Sequence, residues 1–287
     1  QKLSGFLDAK TAESLSYFEY TTLLAMVAFE RCEYVVLEAG LGGEFDATNV
    51  FDKVLSIFTP IDFDHSAFLG ATIESIATTK LRSMRHHALL GIQKHSEVET
   101  IAHKIASDKN CQLYTVQELA DSDIHTIGLQ LALKNSLSDY LRDNCELAMA
   151  AFELLGYKAQ EAYFDQNALF GRLSRICENV TLDVGHNALA ASAISEAFQG
   201  TKITLIYNTY ADKDYRGILS LLANIIESVE IISVEEERIV PQALLEATLN
   251  DLGLEYRLFE SIDPAKEYLV FGSFSVAEAF LKRIKYP

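Results

Sequence analysis

The feature that most restricts the fold is an alternation running along almost the whole chain. Short apolar runs rich in β-branched residues are followed by stretches with helical periodicity. Strands apolar on both faces, each followed by an amphipathic helix, mark βα units around a parallel sheet, because crossover helices cover both faces. In the second half the pattern predicts strands at Val180–Asp183, Ile203–Tyr207, Val229–Ser233 and Leu269–Phe271. Helices are predicted between and after them at Ala188–Phe198, Tyr215–Leu222, Pro241–Leu252 and Val276–Ile284. In the first half it predicts helices at Tyr20–Phe29, Ile73–Lys80, Val98–Ser107 and Cys145–Leu155, and strands at Tyr34–Leu37 and Val54–Phe58. Gly156 stops a helix and residues 157–169 lack a clear period, so two α/β domains are expected, 1–160 and 161–287. The second reads as complete; the first, opening on Gln1, reads as lacking its opening unit.

Composition narrows the partners. The net charge is −17 with no basic stripe, which counts against nucleic acid and against anionic membranes. The acidity by itself reads as solubility. No apolar run is long enough to cross a bilayer and no signal peptide opens the chain. Cys32, Cys111, Cys145 and Cys177 are scattered without a CxxC pair, so structural zinc and a disulfide framework are not expected. A cytoplasmic monomer with reduced thiols is the expectation.

The most informative stretch is Tyr34–Asn49, YVVLEAGLGGEFDATN. A strand ending in Glu38 would place a carboxylate at the carboxyl edge of a parallel sheet, where ligands bind. Gly40, Gly42 and Gly43 would let backbone approach a ligand and offer N–H groups to an anion. Alone, such a run is also what a plain tight turn looks like. The next strand leads into Asp64 and His65, then Leu69-Gly70, with Lys80 fifteen residues beyond the histidine. Oxygen and imidazole ligands without sulfur suit Mg²⁺ or Mn²⁺ better than zinc. Taken singly, His65 reads as a loop histidine and Lys80 as a helix-surface lysine.

In combination these segments resemble the Mur-ligase superfamily, in its folylpolyglutamate synthase/dihydrofolate synthase branch. The resemblance runs from about Ser16 to Leu281. It rests on LEAGLGGEFDATN, DHSAFLGATIESIATTK, Leu141-Arg142-Asp143-Asn144, Gly171-Arg172, TLDVGHNALA, Ala211-Asp212-Lys213-Asp214 and Gly272-Ser273. It implies an α/β protein with a P-loop-type central domain, here partial, and a Rossmann-like C-terminal domain. It implies Glu38 and His65 as Mg²⁺ ligands and Lys80 as a lysine carbamylated by CO₂. A cation beside Mg²⁺ would be repelled, so converting the amine to an anion makes electrostatic sense. It further implies Asn144, Arg172 and Asp183 as ATP contacts and His186 as the side chain facing the reacting glutamate. Ser16, Tyr17, Phe18, Glu19 and Phe45 fall on its pteroate-binding positions. The implied reaction is ATP- and Mg²⁺-dependent addition of L-glutamate to dihydropteroate or a folate through an acyl phosphate.

The chain departs from the branch in three places and lacks a fourth element. Glu44 stands where the branch usually has arginine, Leu81-Arg82-Ser83 replaces Ala-Gly-Ile, and Ser138–Leu141 replaces a Gly-x-His-Gln segment. No G-x-x-x-x-G-K-[ST] occurs, the segment that would hold ATP phosphates and that normally lies upstream of the match. Two other readings fit the same residues. One is a Mur ligase of peptidoglycan synthesis; the other is a non-catalytic folate- or nucleotide-binding remnant.

Overall fold

The computed structural model describes residue 5 and residues 7–119, 122–135, 137–164 and 169–286. The chain divides into two compact units, Gln1–Ala120 and Asp121–Pro287. This division falls earlier than the change expected near residue 160, because the helices after 121 pack with the second unit. Residues 165–168 of the expected boundary stretch lie outside the described residues.

The first unit runs α1 (Ala9–Ser14), α2 (Tyr17–Ala28), β1 (Ser56–Phe58), α3 (Ser66–Leu69), α4 (Ile73–Leu81), β2 (His87–Leu90), α5 (Ser96–Lys109), β3 (Gln112–Thr115) and α6 (Val116–Leu119). Its sheet is parallel in the order β1-β2-β3, with Ile57 opposite Leu89 and Leu89 opposite Tyr114. One core forms where Ile76, Ala77 and Leu81 of α4 meet Ala88 and Leu90 of β2 and Val98, Ala102 and Ile105 of α5. The strand expected at Tyr34–Leu37 does not form: those residues carry no ladder, and Val36 is 94% exposed. Apolar sequence becomes a strand only where a neighbour takes up its backbone hydrogen bonds, and β1 pairs with β2 alone. Glu38 therefore stands on an exposed irregular segment and not at a strand end.

The second unit opens with α7 (Ser122–Asn135), α8 (Asp139–Leu154) and the short α9 (Glu161–Phe164). It continues with β4 (Ser174–Cys177), β5 (Val180–Leu182), α10 (Ala188–Ala197), β6 (Ile203–Tyr207), α11 (Tyr215–Leu222), β7 (Ile226–Ile231), α12 (Gln242–Asp251), β8 (Tyr256–Leu258), β9 (Tyr268–Phe271) and α13 (Phe274–Arg283). The sheet order is β4-β5-β9-β6-β7-β8, parallel except for the edge strand β4. β6 is buried at every position, as a strand covered on both faces must be. Leu205, Tyr207, Leu269 and Phe271 face α10, α11 and α12, while Ile206, Tyr268 and Val270 face α13. Because β9 enters between β5 and β6, strand order departs from chain order there, and the carboxyl ends of such strands are where open α/β sheets bind ligands. No helix among the described residues is long and apolar enough to cross a membrane.

Candidate functional site

The glycine loop of the first unit is held from within by Asp46. Its Oδ2 accepts from the Leu41 N–H at 2.9 Å, and its Oδ1 accepts from the Thr48 N–H at 2.9 Å and the Thr48 hydroxyl at 2.7 Å. Burial alone would push the Asp46 carboxyl up, but these donors outweigh it and hold it below its usual range. The loop then lies on α4: the Glu44 N–H donates to the Thr79 carbonyl at 3.0 Å. A Cβ on Gly43 would fall 2.8 Å from the Lys80 carbonyl, so only glycine allows this approach.

Of the residues expected to bind the pteroate, Ser16 and Glu19 are engaged in a capping box that starts α2. The Ser16 N–H donates to Glu19 Oε2 at 2.8 Å, and the Glu19 N–H donates to Ser16 Oγ at 3.2 Å. That cap fixes where α2 begins and sets Phe18 against Gly40, whose Cβ, if present, would meet the ring at 2.8 Å. Tyr17 and Phe45 project into solvent, 85% and 86% exposed. Phe18 thus lies on the glycine loop, while the Tyr17 and Phe45 rings are exposed.

Lys80 lies on α4, half-buried. Burial pulls its amine below the ordinary lysine range, and the nearby Asp64 carboxylate partly opposes this. Of the Asp64–His65 segment, the Asp64 carboxylate is therefore close enough to act on the lysine. His65 has left-handed backbone, φ 52°, and its Nε2 lies 3.8 Å from Asp64 Oδ2. Among the described residues, no three His, Cys, Asp or Glu side chains are gathered into a metal-ligating group. The side chains expected at the metal, the Glu38 carboxylate and the His65 imidazole, are of the donor type Mg²⁺ or Mn²⁺ takes.

All three residues expected at the nucleotide fall in the second unit. Asp183 follows β5 at the carboxyl edge and is 2% exposed. Its Oδ1 accepts from the Gly185 N–H at 2.7 Å, and its Oδ2 accepts from the Leu173 N–H at 3.0 Å and the Tyr140 hydroxyl at 3.4 Å. Burial raises the Asp183 carboxyl, with these donors and Arg172 acting in the opposite sense. Arg172 sits between Gly171 (φ 86°) and Leu173 (φ 45°), both left-handed. The turn is closed on its other side by the Val184 N–H donating to the Gly171 carbonyl at 2.9 Å. Among the described residues no ion pair involves Arg172, and its Nη1 donates to the Gly171 carbonyl at 3.4 Å. Asn144 is one turn beyond Tyr140 on α8 and shares its face.

His186 lies in the turn between β5 and α10, with Nδ1 3.3 Å from the Val184 carbonyl. That contact favours the proton on Nδ1 and leaves Nε2 as an acceptor. Asn187 caps α10 by accepting from the Ala190 N–H at 2.9 Å. Gly185 is required by crowding: a Cβ there would lie 2.6 Å from Ala190 and 2.7 Å from Phe271. At the neighbouring strand end a Cβ on Gly272 would overlap the Asn208 carbonyl. Ser273 then caps α13, accepting from the Val276 N–H at 3.2 Å.

Helicobacter pylori folylpolyglutamate synthetase, a solved structure, is 41% identical to the chain with a TM-score of 0.69, covering 96% of this chain and 72% of its own. The chain belongs to the folylpolyglutamate synthase family. The Haemophilus influenzae dihydrofolate synthase/folylpolyglutamate synthase is 29% identical over 259 residues, 78% of this chain, and this chain spans 59% of that family member's length. The Yersinia pestis bifunctional folylpolyglutamate synthase/dihydrofolate synthase, complexed with AMPPNP and a Mn ion, shares the fold: TM-score 0.73 at 22% identity, over 95% of this chain and 72% of its own. No protein-family model matches the sequence.

Sequence reasoning missed two residues that organise these sites. Asp46 was legible as an Asx-type turn in Asp-Ala-Thr-Asn, where a short acidic side chain takes the N–H two residues on. Tyr140 carried no local signal, since its partner lies 43 residues away.

Proposed function

We propose that the protein is an ATP- and Mg²⁺-dependent ligase that joins L-glutamate to the terminal carboxylate of dihydropteroate or a folate. The observation that carries this is the second-unit cluster, in which a carboxylate saturated with donors holds the turn that presents Arg172. A guanidinium with no ion pair among the described residues, close enough to the buried Asp183 carboxylate to act on it and at the carboxyl edge of a parallel sheet, suits a phosphate. Family membership, the relatives' names and the AMPPNP complex of one of them support the same reading.

In the proposed reaction a carboxylate oxygen of the folate attacks the γ-phosphorus of ATP. The bond to the ADP oxygen breaks and an acyl phosphate results. Arg172 takes up charge on the transferring phosphoryl group. The glutamate amine then attacks the acyl carbon, phosphate departs, and His186 Nε2 accepts the proton lost by nitrogen. Asp183 and Asn144 orient the nucleotide, Asp183 through the turns it holds. Tyr17, Phe18 and Phe45 grip the pteridine and aryl rings, with Ser16 and Glu19 fixing the helix start that aims Phe18. Mg²⁺, when bound with Glu38 and His65 as ligands, supplies neutralisation of phosphate charge. Lys80 is proposed to be carbamylated: burial favours the neutral amine, the form that attacks CO₂, and the carbamate would be anionic beside that site.

We further propose a cytoplasmic monomer whose functional domains meet near residue 160. The test is ADP and phosphate release by the full-length protein supplied with ATP, Mg²⁺, glutamate and dihydropteroate or a folate. Release that requires both acceptor and glutamate supports the ligase; release that ignores either one contradicts it.

A further inference from the structure

We propose that Tyr140 is a positioning residue for the nucleotide phosphates, acting through Asp183 on the turn that presents Arg172. The inference deepens the ligase reading and rests on it. Three separate stretches of chain meet at the Asp183 carboxylate, and two of the three donors are backbone N–H groups, from Leu173 and Gly185. The third, the Tyr140 hydroxyl, is the one side chain among these donors, and it arrives from a helix.

The Arg172 turn needs such an anchor. Leu173 holds φ 45°, a conformation that costs a side-chain-bearing residue free energy and persists only where surroundings impose it. What imposes it is the Leu173 N–H bonded to Asp183 Oδ2, the same oxygen that takes the tyrosine. Asp183 is almost wholly shielded from water, so each donor it keeps offsets the cost of burying its charge. Removing one donor frees the carboxylate to rotate towards the others or to protonate, and the turn loses its fixed point.

Tyr140 also sets α8. Asn144 follows it by four residues on the same helix face, so the hydroxyl ties the height of Asn144 to Asp183. Burial and the Asp183 charge both push the Tyr140 hydroxyl upward from its ordinary range, which keeps it a donor at any working pH. One oxygen atom thereby couples the three residues assigned to the nucleotide.

The test uses the full-length protein and a double-mutant cycle read by ADP titration and by steady-state kinetics. Tyr140→Phe keeps the ring and removes the hydroxyl. It should weaken ADP about tenfold, the effect expected for a hydrogen bond to a buried charged group. The KM for ATP should rise with it, while the KM for the folate stays close to that of the parent. In the Arg172→Ala background the same substitution should cost clearly less, because the turn no longer carries its guanidinium and only the placing of Asn144 and Asp183 is still lost. Should Tyr140→Phe fold poorly, Asp183→Asn with and without Arg172→Ala asks the same question of the anchor. Unchanged ADP affinity in Tyr140→Phe, a folate KM that rises as much as that for ATP, or full additivity with Arg172→Ala would overturn the proposal while leaving the ligase reading standing. A parent protein that binds no ADP would overturn both.

Discussion

The Arg82 guanidinium lies 3.5 Å from the Glu44 carboxylate, so the end of α4 and the glycine loop carry opposite charges facing one another. Both side chains are partly exposed, so the pair is worth at most about 1 kcal/mol to stability. Its effect should appear in substrate handling. Glu44→Arg sets two cations opposite each other and should raise the folate KM about fivefold, with Glu44→Arg/Arg82→Glu recovering most of the loss. Kinetics on the three proteins checks this; equal KM values throughout would show the pair to be inert.

Lys80 gives a pH-dependent prediction. Its folded-state pKa lies below the ordinary 10.5, because burial disfavours the ammonium. Between the lowered value and 10.5 the unfolded chain binds more protons than the folded one, so this group makes stability rise with pH across that window. Lys80→Met should flatten the rise, read as melting temperature in steps through the window. Lys80→Ala should abolish turnover and regain part of it with added short carboxylates that replace the carbamate. Unchanged turnover in Lys80→Ala would leave Lys80 as packing.

Asp183 carries the opposite signature. Burial raises its folded-state pKa above the ordinary 3.8. Its contribution to stability is fully present below 3.8 and is lost as pH rises through the folded value, leaving a net cost at neutral pH. Asp183→Asn should therefore leave the fold within about 1 kcal/mol of the parent at neutral pH, one lost acceptor being offset by the relieved charge. The comparison should turn against the variant on acidification, and ADP binding should fall throughout. Thermal melts at acid and neutral pH check the sign.

The second unit was largely legible, and the reason is burial. Ile203–Tyr207 and Tyr215–Leu222 appear with the bounds their sequence predicts, since β6 is covered on both faces and α11 is strongly amphipathic. β2 and β3 were not legible. His-Ala-Leu-Leu prefers a helix by its residues and Gln-Leu-Tyr-Thr is half polar; only pairing, of β2 with Ser56–Phe58 and of β3 with β2, makes them strands. The reverse occurs at Tyr34–Leu37, where strand-forming residues carry no ladder among the described residues. At the sites, motif order singled out Asp183, Arg172 and Lys80 as candidates, but a sequence carries no sign that Tyr140 and Asp183 meet, or that Ser16 and Glu19 are occupied with capping a helix.

The measurement closest to the central claim is glutamate transfer by the full-length protein. Supplied with ATP, Mg²⁺, labelled glutamate and either dihydropteroate or a folate, it should form one amide for each ADP released. Arg172→Ala should lower kcat/KM by an amount equivalent to about 2–4 kcal/mol, the loss typical of one charge-stabilising contact in a transition state. A full-length protein that binds ADP and folate yet releases no ADP and labels no folate would contradict the account.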